Sequence, residues 1–154
     1  MEQSKSRLIE FGRFAEANRK SRNKGKPETF DFLGFTHYCS KGRKGYFRVK
    51  RKTSKKKFRT KLKLFINWVK ENRTLKKKDL IEKLNIKLVG YYRYYGVTDN
   101  FKAMDRFWRK IVRAVFIWLN RRSQRKSYTW KRFYDMLRYY PITRPKIYVN
   151  IYEI

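Results

Sequence analysis

Between Phe101 and Arg122, apolar residues recur at steps of three and four positions, and basic residues fill most of the places between them. The apolar positions are Met104, Phe107, Trp108, Ile111, Val112, Val115, Trp118 and Leu119. This spacing predicts a helix of about five or six turns with one apolar face, and Asp99 or Asn100 is its predicted N-cap. The intervening basic residues are Lys102, Arg106, Arg109, Lys110 and Arg113. We therefore expect one face to form a core and the other to meet an anionic partner.

A second helix is predicted from a cap at Thr53 or Ser54 to about Asn72. Its apolar positions are Phe58, Leu62, Phe65, Ile66 and Val69. Basic residues crowd its start and its outer face, at Lys55, Lys56, Lys57, Arg59, Lys61, Lys63 and Lys70. Cations at a helix N-terminus oppose the helix dipole, and such a broken stability rule is expected where a segment serves binding.

A third helix is predicted to begin at Asp79, with a stripe formed by Leu80, Leu84, Leu88, Tyr91 and Tyr95. Gly90 lies inside it, where glycine costs about 1 kcal/mol against alanine, so we expect a neighbouring helix to approach closely there. Gly96 is expected to end the helix in a left-handed cap. The stripe places Tyr91 and Tyr95 in the core, whereas Tyr92 and Tyr94 are open to either packing or base stacking.

The N-terminal third favours β structure. Thr29–Ser40 and Tyr46–Lys52 are rich in aromatic and β-branched residues, and Gly42 and Gly45 between them suit a hairpin turn. Ala15–Glu28 is polar and reads as a loop or linker. After the helices, Thr129 caps a short helix with Trp130, Phe133 and Leu137, and an extended tail follows. The predicted fold is mainly α with a small N-terminal β part (α+β): a β-hairpin, a three-helix bundle, a short fourth helix and a tail.

Charge narrows the class of partner. The 154 residues include 43 Lys+Arg and 12 Asp+Glu, which gives a formal charge of +31. So large an excess favours a polyanion, and nucleic acid more than a membrane surface. No apolar run approaches the roughly 20 residues that a spanning helix needs. Cys39 is the only cysteine and His37 the only histidine, so we expect neither an internal disulfide nor a zinc site.

The sequence offers few candidates for catalytic or metal-binding residues. Polymerases and nucleases hold their metal ions with clustered carboxylates, and the twelve acids here are scattered along the chain. A histidine-dependent hydrolase would have to use His37, and no phosphate-binding glycine loop is present. On its own residues the chain is a predicted binding module, not an enzyme, with no catalytic residue, cofactor or metal.

Two ordered sets of motifs resemble a known family. SKSRLIEFGRFA and TFDFLGFTHYCSKGRKGYFRVKRKTSKKK resemble the last two conserved blocks of bacterial group II intron reverse transcriptases. LNIKLVGYYRYYGVTDNFKAMDRFWRKIVRAVFIWLNRRSQ, followed by YTWKRFYDMLRYYPITRPKI, resembles their thumb, or maturase-specific domain X. The resemblance covers nearly the whole chain, in order.

The resemblance implies three regions. Residues 1–52 would be the end of the palm with the β-hairpin, 53–125 the three-helix thumb, and 126–154 the short helix and the tail. Lys5 would lie near the incoming nucleotide. The strand turn that supports the primer end would be Phe32, Leu33, Gly34 and Phe35. The aromatic-Ala-Asp-Asp motif that holds Mg²⁺ in the full-length family protein is not in this sequence, so we expect a C-terminal part that does not polymerise DNA by itself.

The functional expectation is an RNA-binding maturase-type module that holds group II intron RNA, or another structured RNA, in a bacterial cytoplasm. Its expected RNA-binding residues are Lys55, Lys56, Lys57, Arg59, Lys63, Lys70, Arg93, Arg106, Arg109, Lys110, Arg113, Arg121, Arg122 and Arg125. Two alternatives stay open. The chain could complete a split reverse transcriptase with a separate fingers-palm polypeptide, or it could be a remnant of a mobile element without function.

Overall fold

The computed structural model describes residues 8–124 and 127–152, and the chain divides into two compact units, Met1–Ser54 and Lys55–Ile154. The first unit contains a three-stranded antiparallel sheet, and the second contains four helices. This arrangement confirms the predicted α+β class, with a small β part followed by a helical bundle.

The first unit consists of α1 (Ala15–Ser21), β1 (Phe30–Phe32), β2 (Phe35–Lys41) and β3 (Phe47–Thr53), with the strands in the order β1-β2-β3. The predicted turn at Gly42–Gly45 is confirmed, because the amide of Gly42 donates to the carbonyl of Tyr46 at 2.8 Å. The prediction of a loop throughout 15–28 is wrong, since the first part of that range is helical.

The segment Thr29–Ser40 is not the single strand that its composition predicted. A two-residue turn interrupts it, with φ of 47° at Leu33 and 82° at Gly34. Positive φ at two successive residues is the geometry of the tight hairpin turn that matches the twist of its strands. The chain therefore folds back at this point, and the expected hairpin becomes a three-stranded meander.

The second unit consists of α2 (Lys55–Glu71), α3 (Lys77–Tyr95), α4 (Phe101–Asn120) and α5 (Trp130–Tyr139). The side chain of Phe107 on α4 lies in its core. Its ring stacks on Tyr91 of α3 at 4.0 Å and makes edge contacts with Phe58 and Phe65 of α2. All four residues lie at apolar positions that the helical spacing predicted, whereas two other predicted positions, Trp108 and Trp118, are only half-buried.

The predicted helix caps have mixed outcomes. Thr129 caps α5 as predicted, because its hydroxyl accepts from the amide of Arg132. Asn100 stands at the start of α4, but its side chain donates to the carbonyl of Tyr95 at 2.8 Å instead of capping α4. The carboxylate of Asp99 accepts from the hydroxyl of Tyr152. The side chains of Asn100 and Asp99 thus form hydrogen bonds to other segments of the chain instead of capping α4.

Gly96 ends the third predicted helix, as expected, but the other expectations for its two glycines were wrong. A Cβ built on Gly90 would meet no atom within 4 Å, so no helix approaches closely there. Gly96 has φ of −77°, which is not left-handed. Two close approaches require a glycine at 96, since an added Cβ would clash with the carbonyl oxygen of Tyr92 in α3 and lie 2.9 Å from that of Lys146 in the tail.

The tail is extended, as predicted, and hydrogen bonds join it to α3, α4 and the α3–α4 connection. Asn85 on α3 donates to the carbonyl of Pro141 at 2.8 Å and accepts from the amide of Thr143 at 2.9 Å. Further along, the carbonyl of Gly96 accepts from the amides of Tyr148 and Val149 at 2.7 and 3.0 Å. These bonds fix residues 141–149 of the tail against the bundle.

Candidate nucleic-acid interface

The basic residues at the start of α2 lie in solvent. Those predicted to bind RNA, all of them exposed, are Lys55, Lys56, Lys57, Arg59 and Lys63. The first turn of α2 contains no acidic residue to balance the helix dipole. The apolar side of the same helix ends in the fully buried Val69. This positive charge therefore does not stabilise the helix, and it faces away from the core.

The outer face of α4 is basic along its first four turns. Its exposed residues there include Arg106, Arg109, Lys110 and Arg113, while Ile111 and Val115 on the same helix are fully buried. One of the four cations has an acidic partner, because the guanidinium of Arg109 lies 2.8 Å from the carboxylate of Asp105. That pair is solvent-exposed on the arginine side, and such pairs are weak and open to exchange.

The basic faces of α2 and α4 meet where the two helices pack. The rings of Phe58 and Phe107 join the helices at 5.7 Å. On the solvent side of this contact, the guanidinium of Arg106 lies over the ring of Phe58 at 5.7 Å. Arg106 thus extends from α4 onto α2. We call the exposed basic residues of these two packed helices the α2–α4 surface.

A second group of cations surrounds Trp118 near the end of α4. Lys70, Arg73 and Arg121 place their charged groups 5.5, 5.8 and 5.1 Å from the centre of the indole. Lys70 and Arg121 were predicted to bind RNA, but Arg73 was missed because it follows the end of the helical pattern. Only the fold brings these residues, from α2, the α2–α3 connection and the end of α4, to one ring.

The remaining predicted cations are spread out. Arg122 is half-buried, and its guanidinium donates to the carbonyls of Thr74 and Leu75 at 3.3 and 2.7 Å, which ties the α2–α3 connection to α4. Arg93 is exposed in the last turn of α3. Arg125 lies outside the described residues. Two cations that helical spacing did not predict lie on indole rings: Lys87 on Trp68 at 5.3 Å and Arg144 on Trp108 at 4.6 Å.

The four tyrosines of α3 divide between core and surface. Tyr91 and Tyr95 are buried, as predicted. Tyr92, which the sequence left open, is fully buried and donates its hydroxyl to the carbonyl of Thr143 at 3.0 Å. Burial raises the pKa of Tyr92 far above its ordinary value, so its hydroxyl stays protonated. Tyr94 alone exposes more than half of its side chain, at 54%.

The residues expected to form the primer-support turn lie together at the tip of the β1–β2 hairpin. Phe32 and Leu33 are 61% and 68% exposed, and Phe35 is half-buried. The carbonyl of Gly34 accepts from the amide of Ser54 at 2.9 Å, which closes the meander against the end of β3. The turn therefore presents two apolar side chains to its surroundings.

The part of the chain that the structure describes contains no group of three or more His, Cys, Asp or Glu side chains placed to hold a metal ion. Over the same residues, no helix is both long and apolar enough to cross a membrane. No family model, curated protein or solved structure matches this chain. The family resemblance drawn from the motifs therefore stays a prediction.

Proposed function

We propose that this protein is an RNA-binding module of maturase type, which binds group II intron RNA through the α2–α4 surface and assists its splicing. One observation carries the proposal. Exposed cations lie on two helices that Phe58 and Phe107 pack together, and Arg106 lies across the contact between them. The motif resemblance supplies the choice of intron RNA among structured RNAs.

The mode of binding follows from the residue types on this surface. Lysine ammonium and arginine guanidinium groups bind phosphate oxygens, and such contacts fix position without reading sequence. Double-stranded RNA hides its base edges in a deep, narrow major groove, so proteins recognise it mainly by backbone and shape. The proposed module therefore selects a folded RNA by the spacing of its phosphates. Its own residues bind and orient that RNA, and they carry out no bond-breaking step.

Charge reversal on α2 tests this proposal. Replacing Lys56, Arg59 and Lys63 by glutamate removes three exposed cations from the α2–α4 surface. Each lost phosphate contact lowers the slope of log affinity against log salt by about one, so the slope for intron RNA should fall by at least about three. Filter binding at several salt concentrations measures it, and circular dichroism checks that the helices persist.

A matched control separates local contacts from net charge. Lys24, Lys26 and Lys44 are exposed lysines of the first unit, and reversing them gives a variant of the same net charge. The proposal predicts that this control keeps a salt slope close to that of the wild type. Equal losses in the two variants, or no protection of any RNA from nuclease by the wild type, would contradict it.

A second candidate function is a subunit that completes a split reverse transcriptase. The exposed Phe32 and Leu33 at the β1–β2 turn favour it, because contiguous apolar side chains in solvent are typical of contact surfaces. Co-purification of a fingers-palm polypeptide that carries the Asp-Asp motif would support this candidate. Replacing both side chains by serine should then release that polypeptide while leaving RNA binding by the α2–α4 surface unchanged.

A further inference from the structure

Helix α5 presents two aromatic rings to solvent, one helical turn apart. Trp130 and Tyr134 are 43% and 54% exposed, and their rings lie nearly parallel, with centres 5.8 Å apart and an interplanar angle of 28°. The adjoining side of α5 holds it to the bundle through Phe133 and Met136, which are buried. Helix α5 therefore has a buried face of its own, in addition to the two exposed rings.

The ring of Trp130 packs against two further aromatic rings. Phe116 of α4 stacks on Trp130 at 3.8 Å with an interplanar angle of 12°, and Phe133 meets it edge-on at 5.8 Å. Tyr128, two residues before α5, is fixed as well, because the side chain of Asn120 pairs with both of its backbone groups, at 2.7 and 3.0 Å. Rings held in one orientation lose little entropy when a further ring stacks on them.

Cations share the exposed side of α5 with the two rings. At about 100° of rotation per residue, Trp130, Tyr134, Arg138 and Lys131 fall within an arc of about 100°. Lys131 and Arg138 are exposed. Arg138 lies 3.9 Å from the carboxylate of Asp135, an exposed contact that leaves its other donors accessible. The outward side of α5 thus combines stacking surface with positive charge.

We propose that Trp130 and Tyr134 form a stacking platform for unpaired nucleotides of the bound RNA, while Lys131 and Arg138 hold the adjoining phosphates. This inference rests on the proposed RNA-binding function and adds a class of ligand to it, namely single-stranded segments. A nucleobase offers a π-face whatever its identity, and pairs of aromatic side chains beside basic residues are how proteins bind single strands. Charge favours RNA over a protein partner, since lysine is depleted at protein–protein interfaces and the chain carries a formal charge of +31.

The test compares two RNA probes with the full chain. One is single-stranded oligouridine, whose bases stack weakly on each other and stay accessible, and the other is an RNA duplex with the same number of phosphates. The variant Tyr134→Ala should bind oligouridine about 5- to 150-fold more weakly, which is the usual effect of losing one stacked base. Its affinity for the duplex and its salt slopes should match those of the wild type, because no cation is removed.

Three further variants complete the test. Tyr139→Ala removes an 81% exposed ring from the other side of α5 and should have no effect on either probe. Tyr134→Phe keeps the ring and should retain wild-type affinity for oligouridine. If Tyr134→Ala reduces the helical circular dichroism signal, the comparison of Tyr134→Phe with Tyr134→Leu replaces it, and only the leucine variant should lose affinity.

The outcomes separate the two proposals. Unchanged oligouridine affinity in Tyr134→Ala, or an equal loss for both probes, would overturn the stacking platform, and the first result is also what a protein-binding role for this face predicts. Retained duplex binding would then leave the proposed RNA-binding function standing. Failure of the wild type to bind the duplex would contradict that function directly.

Discussion

The helical unit and the sheet unit are both rich in aromatic residues but bury them to different depths. In the helical unit, Tyr92, Phe107 and Phe133 are fully buried. Along the three strands only Thr53 is buried, and the apolar side chains are half-buried or exposed. A helix pair encloses a ring from several sides, whereas a single sheet leaves one face uncovered. Most of the folding free energy is therefore expected in the helical unit.

The largest effect should come from a cavity at the centre of the helical unit. Phe107→Ala removes a fully buried ring that touches both α2 and α3, and a change of this kind costs about 3–5 kcal/mol. Urea unfolding followed by tryptophan fluorescence measures it, because all four tryptophans lie in this unit. Phe101→Ala on the same helix removes a ring that is 47% exposed and should cost about 0.5 kcal/mol or less. Similar losses in both variants would contradict the described core.

A smaller effect, of opposite sign, is expected at the sheet tip. Leu33 combines a left-handed φ of 47° with a side chain that is 68% exposed. The left-handed conformation costs a non-glycine residue about 1–2 kcal/mol, and the extra flexibility of unfolded glycine offsets part of this. Leu33→Gly should therefore stabilise the sheet by about 0.5–1 kcal/mol. Hydrogen exchange of the β2 and β3 amides reports this unit alone, and faster exchange would show that Leu33 makes a stabilising contact.

The smallest effect is a pH dependence confined to the sheet. His37 stacks on Phe30 at 4.8 Å, and its burial, with a contribution from Arg51, lowers its pKa. The unfolded chain then takes up a proton at a higher pH than the folded sheet does. The contribution of His37 to stability is complete above the unfolded pKa of about 6.5. It decreases as the pH falls through that value toward the folded pKa.

Hydrogen exchange of the β2 and β3 amides at pH values on either side of 6.5 checks this dependence. His37→Phe keeps an aromatic ring against Phe30 and removes the titrating group, so this variant should lose the dependence between those pH values. If the wild-type sheet were more stable below about pH 6.5 than above it, the assigned direction of the pKa shift would be contradicted.

Where a pattern repeats within one helix, the amino-acid sequence predicted which residues are buried and which are exposed. The helical period placed Phe107 and Ile111 of α4 in the core, and the same period put Arg106 and Arg113 on the opposite face. These results depend only on the 3.6-residue turn of a helix. The cationic surface of each helix was therefore predictable from the amino-acid sequence.

The rest depends on contacts between distant residues. The tail passes over Gly96 some fifty residues later and leaves no room for a Cβ on that side, and nothing near position 96 in the sequence indicates this contact. Leucine is rare at a left-handed position, so the turn at Leu33 was not predicted. In the sequence Arg122 cannot be told apart from the other predicted RNA-binding cations, but its guanidinium donates a hydrogen bond to the α2–α3 connection. Local patterns do not distinguish such roles.

The central claim is that a cationic helical surface binds the phosphates of a folded RNA. The most direct measurement is the affinity of the full chain for intron RNA as a function of salt concentration. If six to ten phosphates are contacted, the affinity should fall by about 10³- to 10⁵-fold between 50 and 200 mM salt. An affinity that is nearly constant over that range would contradict the claim.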